Sequence, residues 1–249
     1  MHTERKGEDE VELFRKKHQR KYEKELLMTK EVPFAVEEAY KSLRTNLVFS
    51  LPEDTCKIIE ITSSTQNEGK SVTAINLAIS LAKNGSRVAL LDCDLRMPTI
   101  AKKMKIGQKP GLTNYLFDLS SIRDVICTHS CGIDIIPTGD IPPNPSETLG
   151  SVRMTALLDY LKEHYDYVIL DVPPIGVVTD AAVLASKVSG VILVVRQDVA
   201  CCEGVDEAIN KLRIANGKLI GFVLTDSSID RSEYTHYGYA ATMKMSTRR

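Results

Sequence analysis

Six short apolar runs punctuate the chain: around Ile58–Ile61, Arg87–Leu91, Ile133–Ile136, Asp166–Asp171, Gly190–Val195 and Leu219–Leu224. They are nearly continuous rather than alternating, the pattern of strands buried on both faces of a parallel sheet. Between them the apolar residues shift to helical spacing, over Val72–Lys83, Ser151–His164 and Glu203–Ala215. Asn84-Gly85 supplies a left-handed stop for the first of these. A further helix is predicted from Val36, where Val36, Tyr40, Leu43 and Leu47 share one face. Strands alternating with helices give an α/β fold, a mostly parallel sheet with right-handed crossovers and helices on both faces. The middle, Met97 to Asp140, is less regular. After the Ile133–Ile136 run, Pro137, Pro142, Pro143 and Pro145 predict a rigid, non-helical surface loop, Pro137 to Pro145, near the ligand edge of the sheet.

The ends differ from this core. Residues 1–32 form an arm dense in Lys, Arg, Asp and Glu, with some helix expected over Val11–Leu27. One domain spans 33–226. From 227 to 249 aliphatic residues thin out, and Tyr234, Tyr237 and Tyr239, three of nine tyrosines, stand close together. A mobile terminus displaying hydroxyl acceptors is one reading, aromatics folded back on the domain the other.

Composition excludes little. A net charge of −1 offers no global basic field for nucleic acid. No apolar run approaches the roughly 20 residues of a membrane span, and the N-terminus has no apolar signal core, so a cytosolic chain is expected unless a partner tethers it. The six cysteines do not form a framework at this length; Cys127 and Cys131 lack a second Cys/His pair for zinc. Reduced, mostly buried thiols are expected.

The chemistry lies where strands end. Ile58–Ser71 runs strand, polar loop, then Gly69-Lys70-Ser71 opening a helix, the context of a phosphate-binding loop. Amides at the helix start favour an anion, Lys70 reaches outer phosphates, and the Ser71 hydroxyl suits Mg²⁺. Ser64 stands where the usual pattern has its first glycine. The second strand runs into Asp92-Cys93-Asp94-Leu95-Arg96, and the fourth run ends at Asp171 before Pro173-Pro174. Carboxylates at strand C-termini lie at the ligand edge of such a sheet. Asp171 is placed to hold Mg²⁺ opposite Ser71. A dinucleotide site is disfavoured, since no G-x-G-x-x-G precedes Asp92. On the helix from Val36, Glu38, Lys41 and Arg44 line one flank; they pair within the helix or with a copy of it in a neighbouring subunit.

Together, TSSTQNEGKS, LLDCDLRMP, YVILDVPP, PTGDIPPNPSETL and EEAYKSLRTNL resemble the segments of bacterial tyrosine kinases of the polysaccharide-biosynthesis type, over roughly Pro33 to Tyr239. The resemblance implies a P-loop NTPase-like fold in three layers and transfer of phosphate from ATP, with Mg²⁺, to tyrosine. It assigns Ser64, Thr65, Gln66, Asn67, Glu68, Gly69, Lys70, Ser71 and Val72 to nucleotide binding and Ser71, Asp92 and Asp171 to the metal. Lys70, Asp92, Asp94 and Asp171 become catalytic, with Asp92 or Asp94 accepting the phenolic proton. Tyr234, Tyr237 and Tyr239 become acceptors, phosphorylated in trans within a ring-like homo-oligomer built through Glu38, Lys41 and Arg44. Control of capsular or extracellular polysaccharide synthesis and export follows, with other protein substrates and a separate transmembrane activator that draws the chain to the inner membrane face.

Three departures bear on these expectations. Lys41 replaces an Arg, and lysine cannot make the same two-pronged pair with a carboxylate. Asn67 replaces a Gly, although Asn tolerates the left-handed conformation. Thr225 falls near where related ATPases place an Asn against adenine. A nucleotide-switched ATPase of the partition and positioning group is the runner-up; it usually carries an extra lysine early in the loop, absent from Ser64–Glu68. An ATP-binding scaffold without turnover is the third class.

Overall fold

The computed structural model describes residues 27–51 and 56–227. The arm up to residue 26, its expected helix, and the three tail tyrosines lie outside the described residues.

Seven strands form one sheet: β1 Lys57–Ser63, β2 Val88–Asp92, β3 Cys127–Thr128, β4 Asp134–Ile136, β5 Tyr167–Asp171, β6 Gly190–Arg196 and β7 Leu219–Thr225. Their spatial order is β3-β4-β2-β5-β1-β6-β7, and every neighbouring pair is parallel except β3 with β4. The expected mostly parallel sheet is therefore the one observed. β1 sits between β5 and β6, so the loop leaving it opens at the centre of the C-terminal edge.

The strand period of two separates two cores. Ile58, Leu91, Val168, Leu170, Val191 and Leu193 face one side; Ile59, Ile61, Leu90, Ile169, Ile192 and Val194 face the other. The first side is covered by α7 Val152–His164, α8 Asp180–Ala185 and α9 Cys202–Ile214, through Leu157, Leu161, Leu184, Ala208 and Leu212. The second is covered by α2 Lys70–Lys83, with α1 Phe34–Ser50 and α3 Ile100–Met104 alongside. This is the three-layer arrangement. α2 ends in a Schellman cap: Gly85, at φ +92°, donates to Ala82 and Ser86 donates to Leu81.

Several expectations need correction. Pro145 does not belong to a loop; it is the first residue of α6 Pro145–Gly150, where its missing N–H costs nothing. Residues 97–140 hold three short helices, α3, α4 Leu112–Leu116 and α5 Ile122–Val125, as well as β3. β7 reads as a buried strand but is the sheet edge, with Phe222 and Leu224 more than half exposed. Only Cys93 of the six thiols is fully buried, and Cys201 and Cys202 are exposed.

Candidate active site

The loop between β1 and α2 is built around its own glutamate. Glu68 is fully buried, and its Oε1 accepts from Ser64 Oγ at 2.5 Å and from Thr65 N and Oγ1 at 2.6 and 2.7 Å. Its Oε2 accepts from Arg196 N at 3.2 Å. Ser64, Thr65 and Glu68 thus brace the loop, while Gln66, Asn67, Gly69, Lys70, Ser71 and Val72 line the cleft above it. Asn67 (φ +63°) and Gly69 (φ +91°) take left-handed conformations, as the turn into α2 requires. Thr225 does not line the cleft; its Oγ1 donates to the Glu68 carbonyl at 2.8 Å and its methyl packs against Gly69. On the other flank, Gly176 lies so close to the Ser64 carbonyl that a Cβ there would run into backbone.

The acidic residues converge on this loop. Asp92 and Asp171 are register partners at the ends of β2 and β5, both fully buried. Asp92 Oδ2 accepts from the amides of Thr99 and Ile100 at 3.1 and 3.0 Å, anchoring the start of α3. Its Oδ1 has no hydrogen-bond partner, and neither oxygen of Asp171 has one. Burial, then the Asp171 charge, pushes the Asp92 carboxyl up to about 8; burial pushes Asp171 up to about 6, with Lys70 and then Ser71 opposing the rise. Asp94 is engaged otherwise. Its Oδ2 takes Lys70 Nζ at 2.9 Å and its Oδ1 takes the Met97 amide at 2.9 Å. Burial works against the Lys70 charge, but Asp171, Asp94 and Asp92 outweigh it and hold its pKa above the usual lysine value.

Three partnerless carboxylate oxygens buried beside a hydroxyl-bearing helix start are costly unless a cation occupies the space. Hard oxygen donors suit Mg²⁺, which needs only one or two carboxylates when phosphate oxygens complete its shell. Ser71, Asp92 and Asp171 fit that ion.

Some participants left little trace in the sequence. Arg96 makes a two-pronged pair with fully buried Asp180, Nε and Nη2 both at 2.9 Å, and Ser146 Oγ donates to the same carboxylate at 2.5 Å. That knot ties the loop carrying Asp94 to the start of α8. Lys103 also lines the cleft. Glu38, Lys41 and Arg44 lie away from it on α1, where Lys41 pairs with Glu38 at 2.8 Å and Arg44 Nη1 donates to the Ser80 carbonyl at 2.7 Å.

Comparison with known proteins gives the site its context. The family model described as an AAA domain matches residues 56–220. The tyrosine-protein kinase CpsD of Streptococcus agalactiae is 36% identical over 204 residues, which cover 81% of this chain and 88% of the relative. The chain belongs to the bacterial tyrosine-protein kinases. The kinase domain of the Escherichia coli tyrosine kinase ETK superposes on it with a TM-score of 0.74 at 32% identity, covering 80% of this chain and 83% of that one. The septum site-determining protein MinD of Pyrococcus horikoshii, solved with Mg-ADP, matches with a TM-score of 0.59 at 22% identity over 70% of this chain and 72% of that one, a likeness of fold alone. The runner-up ATPase group therefore shares this kinase's architecture, whereas the higher identity lies with the tyrosine kinases.

Proposed function

We propose that this kinase uses ATP and Mg²⁺ to phosphorylate Tyr234, Tyr237 and Tyr239 of another copy of itself, in control of polysaccharide synthesis and export. The observation that carries the reading is the in-register pair Asp92 and Asp171, three of whose four carboxylate oxygens have no hydrogen-bond partner, beside Ser71 and Lys70. Phosphoryl transfer asks mainly for positioning and charge stabilisation, and these groups supply both. Ser71, Asp92 and Asp171 would hold Mg²⁺, which when bound would neutralise phosphate charge.

The remaining roles fall to the protein. Lys70 leaves Asp94 for the phosphate oxygens as ATP enters, which frees Asp94 Oδ2. The acceptor phenol oxygen attacks the γ-phosphorus, the bond to the ADP oxygen breaks, and the phenolic proton passes to Asp94. A phenol of pKa about 10 needs such a base at neutral pH. Asp94 is favoured over Asp92 because Asp92 Oδ2 already accepts from the amides of Thr99 and Ile100 and its carboxylate would hold the metal.

A tail reaching a neighbour's cleft calls for an oligomer, and Glu38, Lys41 and Arg44 are its candidate contacts. Three added phosphates, each about −1.5 to −2 charges, would repel one another and loosen it. No helix among the described residues is long and apolar enough to cross a membrane, so recruitment to the membrane is assigned to a separate transmembrane activator.

Mixing two variants tests the reading. A chain with all three tail tyrosines changed to Phe keeps its site but has no tail acceptors; Lys70→Met keeps acceptors but lacks the phosphate-binding cation. Incubated together with ATP and Mg²⁺, they should yield phosphotyrosine on the Lys70→Met chain by mass spectrometry. An unmodified tail there, with ATP consumed, would remove trans-phosphorylation and leave an ATPase.

A further inference from the structure

We propose that Arg196 is a positioning residue for ATP, a clamp that joins the phosphate loop at Asn67 to Asp226, the last residue before the tyrosine-bearing tail. Arg196 ends β6, with its side chain 19% exposed. Its Nη1 donates to the Asn67 carbonyl at 2.9 Å, and its Nε donates to Asp226 Oδ2 at 2.8 Å, with Nη2 on the same oxygen. Its own amide holds Glu68 Oε2. One residue therefore grips two consecutive loop residues and the end of the domain.

Both residues gripped by the guanidinium hold left-handed conformations, which Asn and Asp adopt less readily than Gly. Asn67 sits at φ +63° and Asp226 at φ +54°, a region disfavoured for residues with a Cβ. A glycine holds the left-handed turn without help, and an asparagine gains from an external restraint. Drawing the Asn67 carbonyl toward Arg196 turns the next amide, Glu68 N–H, the opposite way, because a trans peptide points its C=O and N–H in opposite directions. Orientation of loop amides is what a phosphate-binding loop depends on.

A surface ion pair alone would contribute little. Arg196 differs because its pairing with Asp226 fixes a guanidinium whose Nη1 donates to the loop backbone. Thr225, adjacent in sequence, reinforces the junction from its other side through Glu68 O. The tail thus leaves from a point whose geometry is shared with the nucleotide site.

The proposal rests on the reading of this loop as the ATP site, and equilibrium binding separates the two. Titration calorimetry with ATP and Mg²⁺, together with steady-state kinetics, should be run on wild type, Arg196→Ala, Arg196→Lys, Asn67→Gly and the Asn67→Gly/Arg196→Ala double variant. Arg196→Ala should weaken ATP binding about 10-fold, with kcat at saturating ATP within about twofold of wild type, a loss of uniform binding. Arg196→Lys should recover part of the loss. In the Asn67→Gly background the Arg196→Ala penalty should shrink to about threefold or less, because Gly needs no clamp. The same penalty in both backgrounds, or none in either, overturns the proposal. Should Arg196→Ala fail to fold, Asp226→Asn replaces it, and unchanged ATP binding there counts equally against the clamp. A wild-type chain that binds no ATP overturns the site reading and the clamp together.

Discussion

Asp92 and Asp171 stand opposite each other as Cα partners on adjacent parallel strands, fully buried, with three of their four carboxylate oxygens unpartnered. Such an arrangement is costly to the fold, and a bound cation would relieve it. The unfolded chain releases the Asp92 proton near pH 3.8, whereas the folded chain keeps it to about 8. The folded state then binds more protons than the unfolded state across that window, so stability falls as pH rises from about 4 to about 8. In EDTA, Asp92→Asn should therefore gain melting temperature over wild type between pH 5 and pH 8, while kinase activity drops at least about 100-fold. A variant that melts lower than wild type at pH 8 would falsify the view that this pair stores strain for a metal.

Lys70 and Asp94 form a second relationship with a functional consequence. Lys70 Nζ is paired with Asp94 at 2.9 Å, with side-chain exposures of 13% and 6%. Asp94→Asn removes both the competing anion and the proposed proton acceptor. ATP should bind several-fold more tightly, while kcat falls about 100-fold. Weaker ATP binding, in calorimetry on a variant of unchanged melting temperature, would mean that Asp94 organises the cleft instead of holding Lys70 in reserve.

Glu60 belongs to no part of this chemistry. It lies in the middle of β1, fully buried on the Ile58 face, beside Leu170 and Val191, and neither oxygen has a hydrogen-bond partner. Burial raises its pKa well above the usual carboxylate value. The group is therefore carried protonated, and its cost grows as pH climbs above about 4.5, where the unfolded chain ionises. Glu60→Leu should raise stability by about 2 kcal/mol at pH 7.5, with a smaller gain at pH 5. Chemical denaturation at the two pH values checks this, and a loss of stability at pH 7.5 would point to a polar partner that Glu60 serves.

What the sequence made legible follows from how far apart partners lie along the chain. Lys70, Ser71, Asp92 and Asp171 stand at strand ends within motifs whose order and spacing carry the chemistry, and the fold does bring them together. The sheet and its two covering layers were legible for a similar reason, since continuous apolar runs mean burial on both faces. Arg196 was not legible, because Asn67 lies 129 residues away and Asp226 lies 30 away. Glu68 looked like a loop member and turned out to be the brace inside it. β7 carries the same apolar pattern as a central strand, and nothing local marks it as an edge. Pro145 was misjudged because four prolines suggest a loop, while one at a helix's first position does not.

The flank of α1 poses the last question, and its two cations answer it differently. Lys41 pairs with Glu38 at 2.8 Å and with Glu37 at 3.5 Å, all on one helix, with side chains 36–41% exposed. Such exposed pairs contribute a few tenths of a kcal/mol. Arg44 instead turns toward α2 and donates to the Ser80 carbonyl, while Ser80 Oγ donates back to Tyr40 O at 3.3 Å, so it fastens α1 to the domain. Arg44→Ala should lower unfolding free energy by about 1 kcal/mol even at concentrations where the kinase is monomeric. Lys41→Ala should change monomer stability by less than about 0.5 kcal/mol. Urea titrations at low protein concentration, paired with mass measurements at high concentration, separate the roles. If Arg44→Ala altered only the mass and left the monomer's unfolding curve in place, the residue would work between subunits, and its bond to Ser80 would be incidental.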